Sequence, residues 1–154
     1  MAISMDLIKQ LRTETGARIM DCKKALEKAK GDMVSAKQYV EEKGLVRAEK
    51  AVNRSTNVGY IASYTHATGE IASLVELLCE TDFVAANQEF RQLAQDLAMQ
   101  VAALAPADKK ELLAQDFVKG SGDSVATTIK ALSGKIGEKM ELTRFVRFAV
   151  GEIK

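Results

Sequence analysis

The stretch Ile71–Phe90, "IASLVELLCETDFVAANQEF", decides how the chain is read, because its pattern changes in the middle. Its first nine residues are an apolar run of strand length. Its end begins a helix: Asn87 is a cap residue, and Phe90, Leu93, Ala94, Leu97, Ala98, Val101 and Leu104 recur at helical spacing until Pro106 stops them. Between the two lies "TDFVAA", a separate first turn or corner. Thr81 and Asp82 have an ordinary role there, since such side chains cap the free N–H groups of a first helical turn. Phe83 has two open readings. Either it packs back onto its own helix as a hydrophobic staple, or it faces outward beside an acid, a plug offered to another molecule.

Upstream of this stretch, "VGYIASYT" alternates, placing Val58, Tyr60, Ala62 and Tyr64 on one face, and the turn "HATGE" joins it to the apolar run as a hairpin. Downstream, "ADKKELLAQDF" supplies a short helical segment and "VKGSGDS" a loop. Val125, Ile129, Leu132 and Ile136 then stand at helical spacing, and "KMELTRFVRFAVGE" alternates as a long closing strand. The N-terminal 44 residues read as three short helices. Ser4 caps the first, whose apolar face holds Leu7, Ile8 and Leu11 and which ends before Gly16; the second carries Cys22, Ala25 and Leu26 up to Gly31; Asp32 caps the third, with Gly44 at its close. Residues 45–57 read as a short basic helix and linker, with Arg47, Lys50 and Arg54 either on a solvated face or against an acidic partner. Helices, hairpin, helices and strand in that order argue for an α+β fold with an antiparallel sheet rather than a βαβ fold. The expected division is a three-helix docking domain over 1–44, the connector over 45–57, and an α+β core over 58–154.

Composition narrows the function. Lys+Arg 22 against Asp+Glu 21 gives a net charge of +1, so no strong field favours nucleic acid or an anionic membrane surface. No apolar run is long enough to span a bilayer, and the N-terminus turns amphipathic and charged too early for a signal peptide. A soluble, cytoplasmic protein is expected. Cys22 and Cys79 lie far apart in apolar segments, which suits reduced core thiols. The single histidine, His66, falls in the hairpin turn without companions for a metal site. "SGKIG" lacks the glycine and the hydroxyl that a phosphate loop requires. A thiol enzyme centred on Cys79 would have only His66 as base. Aromatics are 5% of the chain and are not interleaved with basic residues, so base stacking is not suggested. By elimination a binding function leads: no enzyme, no cofactor, no metal.

Two motifs stand out together, "LRTETGARIMDCKKAL" (Leu11–Leu26) and "CETDFVAANQEF" (Cys79–Phe90), joined in order by "KGLVRAEKA", "LAQDLAMQVAALAP" and "KIGEKMELTRFVRF". With them the chain resembles the bacterial elongation factor Ts family, guanine-nucleotide exchange factors for elongation factor Tu. The resemblance covers most of the chain. It implies that the N-terminal three-helix domain is of the ubiquitin-associated type and docks on the partner's G domain, with Arg12, Ile19 and Met20 in the contact. It also assigns the corner Thr81, Asp82, Phe83 and Val84 to exchange: the phenylalanine enters an apolar pocket between two helices of the G domain, the acid perturbs the region holding the magnesium ion, and GDP is released. An extended coiled-coil insertion and a second sheet subdomain of longer members are expected to be absent. Arg18 stands where glycine is common. Short members pair as homodimers through the sheet domain, which makes the strand faces around Phe145 and Phe148 candidates for that contact. The alternative to exchange is an adaptor that binds another protein through the three-helix module.

Overall fold

The N-terminal helices begin where their caps stand. In a computed structural model, which describes residues 2–153, the Ser4 hydroxyl accepts the N–H of Leu7 at the head of α1 (Met5–Thr15). Gly16, at φ 65°, closes that helix by donating its N–H to the Arg12 carbonyl, in the left-handed conformation that glycine enters without a steric penalty. α2 (Ile19–Lys28) follows, and Asp32 caps α3 (Met33–Lys50) by accepting from Ser35 N–H at 2.8 Å. Ile8, Leu11, Ala17, Cys22, Ala25, Leu26 and Ala36 form the core among these helices.

Gly44 does not end the third helix. α3 continues through it to Lys50, so residues 45–50 are the helix's own last turns and not a separate basic helix. The physical reason lies far along the chain. A Cβ on Gly134 would stand only 2.0 Å from the Gly44 carbonyl oxygen, whereas one on Gly44 would meet nothing closer than 3.5 Å, so it is Gly134 that lets backbone pass against backbone, as small residues do where helices cross closely. Arg47, one turn on, donates to the Gly134 carbonyl at 2.9 Å and to Asp21 at 2.6 Å, and Lys43 joins the same carboxylate.

The described chain clusters into two units, one running through Val52 and including Ala131–Gly137, the other comprising Asn53–Lys130 and the chain from Glu138. The second unit carries a three-stranded antiparallel sheet in the order β1 (Val58–Thr65), β2 (Ile71–Cys79), β3 (Glu141–Ala149). With the N-terminal helices, this makes the fold α+β. The hairpin register pairs Ala62 with Val75, which in turn opposes Phe145, with an irregularity between Glu76 and Leu77.

Alternation then fixes two faces. On one, Ala62, Ser73, Val75, Leu77, Cys79 and Leu142 are buried, beneath α5 (Gln88–Leu104), whose Phe90, Leu93, Ala94, Leu97, Ala98 and Val101 are buried in turn. The Ser73 hydroxyl donates to the Ala98 carbonyl, Gln95 donates to the Ser63 carbonyl, and Arg147 donates to the Ala102 carbonyl, which pin α5 to all three strands. The other face leaves Ile61, Leu74, Val146 and Phe148 exposed. Phe145 therefore sits half-buried on the helix side, and only Phe148 of that pair faces out. Beyond α5 come α6 (Lys109–Ala114) and α7 (Val125–Ile136).

Candidate functional site

The corner is built by a strand that ends one residue too soon for the next helix. β2 finishes at the buried Cys79, and Thr81, extended at φ −129° and ψ 155°, caps the single turn α4 (Asp82–Ala85), its hydroxyl accepting the N–H of Val84 at 3.4 Å. Successive positions in a helical turn are rotated by roughly 100°, so neighbours face different surroundings. Val84 turns into the core, 7% exposed, while Phe83 is turned out and is 90% exposed. Asp82 is exposed in the first turn, where a carboxylate faces the free N–H groups. Phe83 is not a staple on its own helix. Burial of a phenylalanine is worth roughly 1.5–3 kcal/mol, and within its own unit the chain forgoes that gain.

A four-residue turn cannot hold itself, because one turn of helix fixes several dihedrals for little hydrogen bonding. Its supports come from elsewhere. Glu138 reaches the N-terminal side: its Oε2 accepts from Glu80 N–H at 3.2 Å and Thr81 N–H at 3.1 Å, and its Oε1 accepts from the Thr81 hydroxyl at 2.6 Å. Glu80 answers in kind, accepting the N–H of Lys139 at 2.6 Å. At the far end, Arg91 of α5 donates to the Ala85 carbonyl at 2.9 Å while its guanidinium lies 4.8 Å from the Tyr60 ring centroid. Asn87 restarts the chain into α5 by accepting from Glu89 and Phe90 N–H. Neither Glu138 nor Arg91 is legible as a site residue in the sequence, because one lies 57 residues from Thr81 and the other reads as the polar face of a helix.

Cys79 sits directly beneath this corner. Burial pushes its thiol up from the ordinary value, and the negative charges of Glu138, Asp82 and Glu80 push it the same way, against a weaker opposing hydrogen bond with the Thr81 backbone. Such a thiol stays protonated, the reverse of what a nucleophile requires. His66 follows the far end of the hairpin, since Val58 pairs with Cys79 and Thr65 with Ala72; at strand rise that is roughly 25 Å away. The Cys79–His66 pair is thereby ruled out, and the His66 ring meets the Tyr64 hydroxyl at 3.1 Å instead. Among the described residues no group of three or more His, Cys, Asp and Glu side chains could hold a metal ion, and no helix is long and apolar enough to cross a membrane.

In the first unit, the residues expected at a docking contact flank the turn between α1 and α2. Arg12 is exposed near the end of α1, and Ile19 and Met20 open α2, 42% and 56% exposed. Arg18, which precedes them, is extended at φ −65° and ψ 141° and makes no side-chain cap. Two large apolar side chains exposed side by side at a helix start are the first unit's counterpart of Phe83. The corner and this pair belong to different units.

Comparison with known proteins supplies the class. The family model described as Elongation factor TS matches residues 80–154, a span that begins at the corner itself. Over nearly the whole chain there is similarity to proteins named Elongation factor Ts. The one from Desulforamulus reducens is 40% identical over 97% of this chain and 90% of its own length. The one from Thermotoga maritima is 38% identical over 99% and 98%, and that from Coprothermobacter proteolyticus 36% over 99% and 100%. These alignments run to 195–197 positions against a chain of 154 residues, so each relative carries residues that this chain lacks. With a helical unit and a sheet unit each presenting exposed apolar side chains, the protein is a translation elongation factor by class. It belongs to the elongation factor Ts family.

Proposed function

We propose that this chain is a guanine-nucleotide exchange factor that binds elongation factor Tu and promotes GDP release. The observation that carries the reading is Phe83, 90% exposed on a capped turn beside Asp82 with Val84 anchored beneath it. The ring enters an apolar site on the G protein and holds open a helix pair that otherwise closes, and the Asp82 charge acts on the region around the magnesium ion. Thr81 shapes the turn, and Val84 fixes its height above the sheet.

Exchange of this kind is negative coupling: the factor weakens nucleotide, and nucleotide weakens the factor by the same free energy. It needs no covalent step, cofactor or metal of its own. Docking falls to the N-terminal helices α1–α3, through Arg12, Ile19 and Met20. A second copy covers the open sheet face, where Ile61, Leu74, Val146 and Phe148 are exposed, giving a homodimer. The near-zero net charge favours a protein partner over nucleic acid and suits a cytoplasmic factor.

The test is stopped-flow release of fluorescent GDP from a Tu-type G protein, with this chain at substoichiometric amounts. Accelerated release supports exchange. Binding of the G protein without acceleration of release leaves an adaptor and overturns exchange.

A further inference from the structure

We propose that Glu138 is a positioning residue for exchange: its carboxylate clasps the backbone and hydroxyl of Glu80–Thr81 and thereby sets the direction in which the corner presents Phe83. The inference rests on the exchange reading of that corner. It concerns a residue outside the "TDFV" segment, brought there only by the fold.

Three donors converge on this one side chain, the N–H groups of Glu80 and Thr81 and the Thr81 hydroxyl. Hydrogen bonds to an ionised acceptor are the stronger kind. The third has a further effect. A threonine hydroxyl rotates freely until something fixes its proton; with that proton given to Glu138 Oε1, the oxygen's lone pairs are left for the Val84 N–H, which is the cap that starts α4. Glu138 thus acts on the turn through Thr81. The return bond from Lys139 N–H to Glu80 makes the clasp reciprocal, so residues 80–81 and 138–139 hold each other beyond the last paired residues of β2 and β3, Leu78 and Glu141.

Phe83 itself cannot supply this order, because a ring so exposed has little of its own subunit to rest against. An unclasped turn would sample many ring directions, and the cost of selecting one would fall on the complex. Holding the turn beforehand shifts that cost to folding.

The experiment compares full-length wild-type chain, Glu138→Ala, Glu138→Gln, Phe83→Ala and the double variant Glu138→Ala/Phe83→Ala. GDP release is titrated to saturation with each factor, and amide exchange at Thr81 and Val84 is followed by NMR. Glu138→Ala is expected to lower the saturating release rate about tenfold, with the half-saturating factor concentration close to wild type, a lower thermal midpoint from the three lost hydrogen bonds, and faster amide exchange at both positions. Glu138→Gln, which keeps one carbonyl acceptor, is expected to recover part of the rate. Because Glu138 acts through the ring's placement, Glu138→Ala should add little in the Phe83→Ala background. If Glu138→Ala matches wild type, or if its loss adds in full to that of Phe83→Ala, the positioning role is overturned. A Phe83→Ala chain as active as wild type would instead overturn the ring's role at the corner, and a wild-type chain that leaves GDP release unaccelerated would overturn the exchange reading itself, so these failures are distinct from that of Glu138.

Discussion

Removing the Phe83 ring separates a core residue from a tool for acting on another protein. In its own subunit the ring is 90% exposed, so Phe83→Ala is expected to change folding stability by no more than about 0.5 kcal/mol, the range for surface substitutions. The same ring buried in a partner's pocket contributes roughly 1.5–3 kcal/mol. If that contact is made as the nucleotide site opens, its loss appears in the rate of GDP release, at roughly 10- to 150-fold. The assay is stopped-flow release of fluorescent GDP from a Tu-type G protein at saturating factor, with a thermal melt of the variant alone beside it. An unchanged release rate refutes the plug. A variant that loses several kcal/mol of its own stability refutes the outward ring on which the reasoning stands.

The two facing glycines of the first unit predict an asymmetry. Gly134→Ala drives a Cβ to 2.0 Å from the Gly44 carbonyl and should cost about 2 kcal/mol, as overpacking does, whereas Gly44→Ala meets nothing closer than 3.5 Å and should gain up to about 1 kcal/mol of helix propensity; paired melts that show equal effects would contradict the close crossing. Asp21 predicts an acid limb. Burial raises its pKa, but the hydrogen bonds and charges of Lys43 and Arg47 outweigh burial and leave it below 3.8. The ionised form is therefore favoured by folding, and its contribution is complete above the unfolded value and is lost as pH falls through the lower folded one; amide protection of α2 and α3 should decline in that acid window and decline less in Asp21→Asn. On the open sheet face, where Phe148 is 73% exposed, Phe148→Asp should weaken self-association by about 2 kcal/mol, roughly 30-fold, as read by sedimentation velocity; a sedimentation profile like that of wild type would exclude this face as the dimer contact.

Local chemistry made most of the elements legible. Cap residues Ser4, Asp32 and Asn87 are bonded as caps, the alternating Val58–Thr65 and the apolar run Ile71–Cys79 form the hairpin, and the period change after Cys79 marks a separate turn. Such signals act over a few residues, so a single sequence carries them. Gly44 misled because a glycine within a helix costs only about 1 kcal/mol, and the turns beyond it are held by contacts distant in sequence, from Arg47 to the Gly134 carbonyl and to Asp21. The orientation of Phe83 was left open by its sequence for the same reason: a phenylalanine after a cap residue is a staple or a plug according to what lies around it. The tertiary structure decided against the staple, by turning Val84 into the core and leaving the ring 90% exposed. It also supplied the clasp, since the donors on Glu80 and Thr81 find their acceptor on Glu138. The sequence by itself determined the order and type of the helices and strands and most of their starts, though not the end of α3, because capping and periodicity are short-range. Which face of the corner meets solvent, and what holds it there, arise from contacts between residues distant along the chain, and those exist only once it has folded.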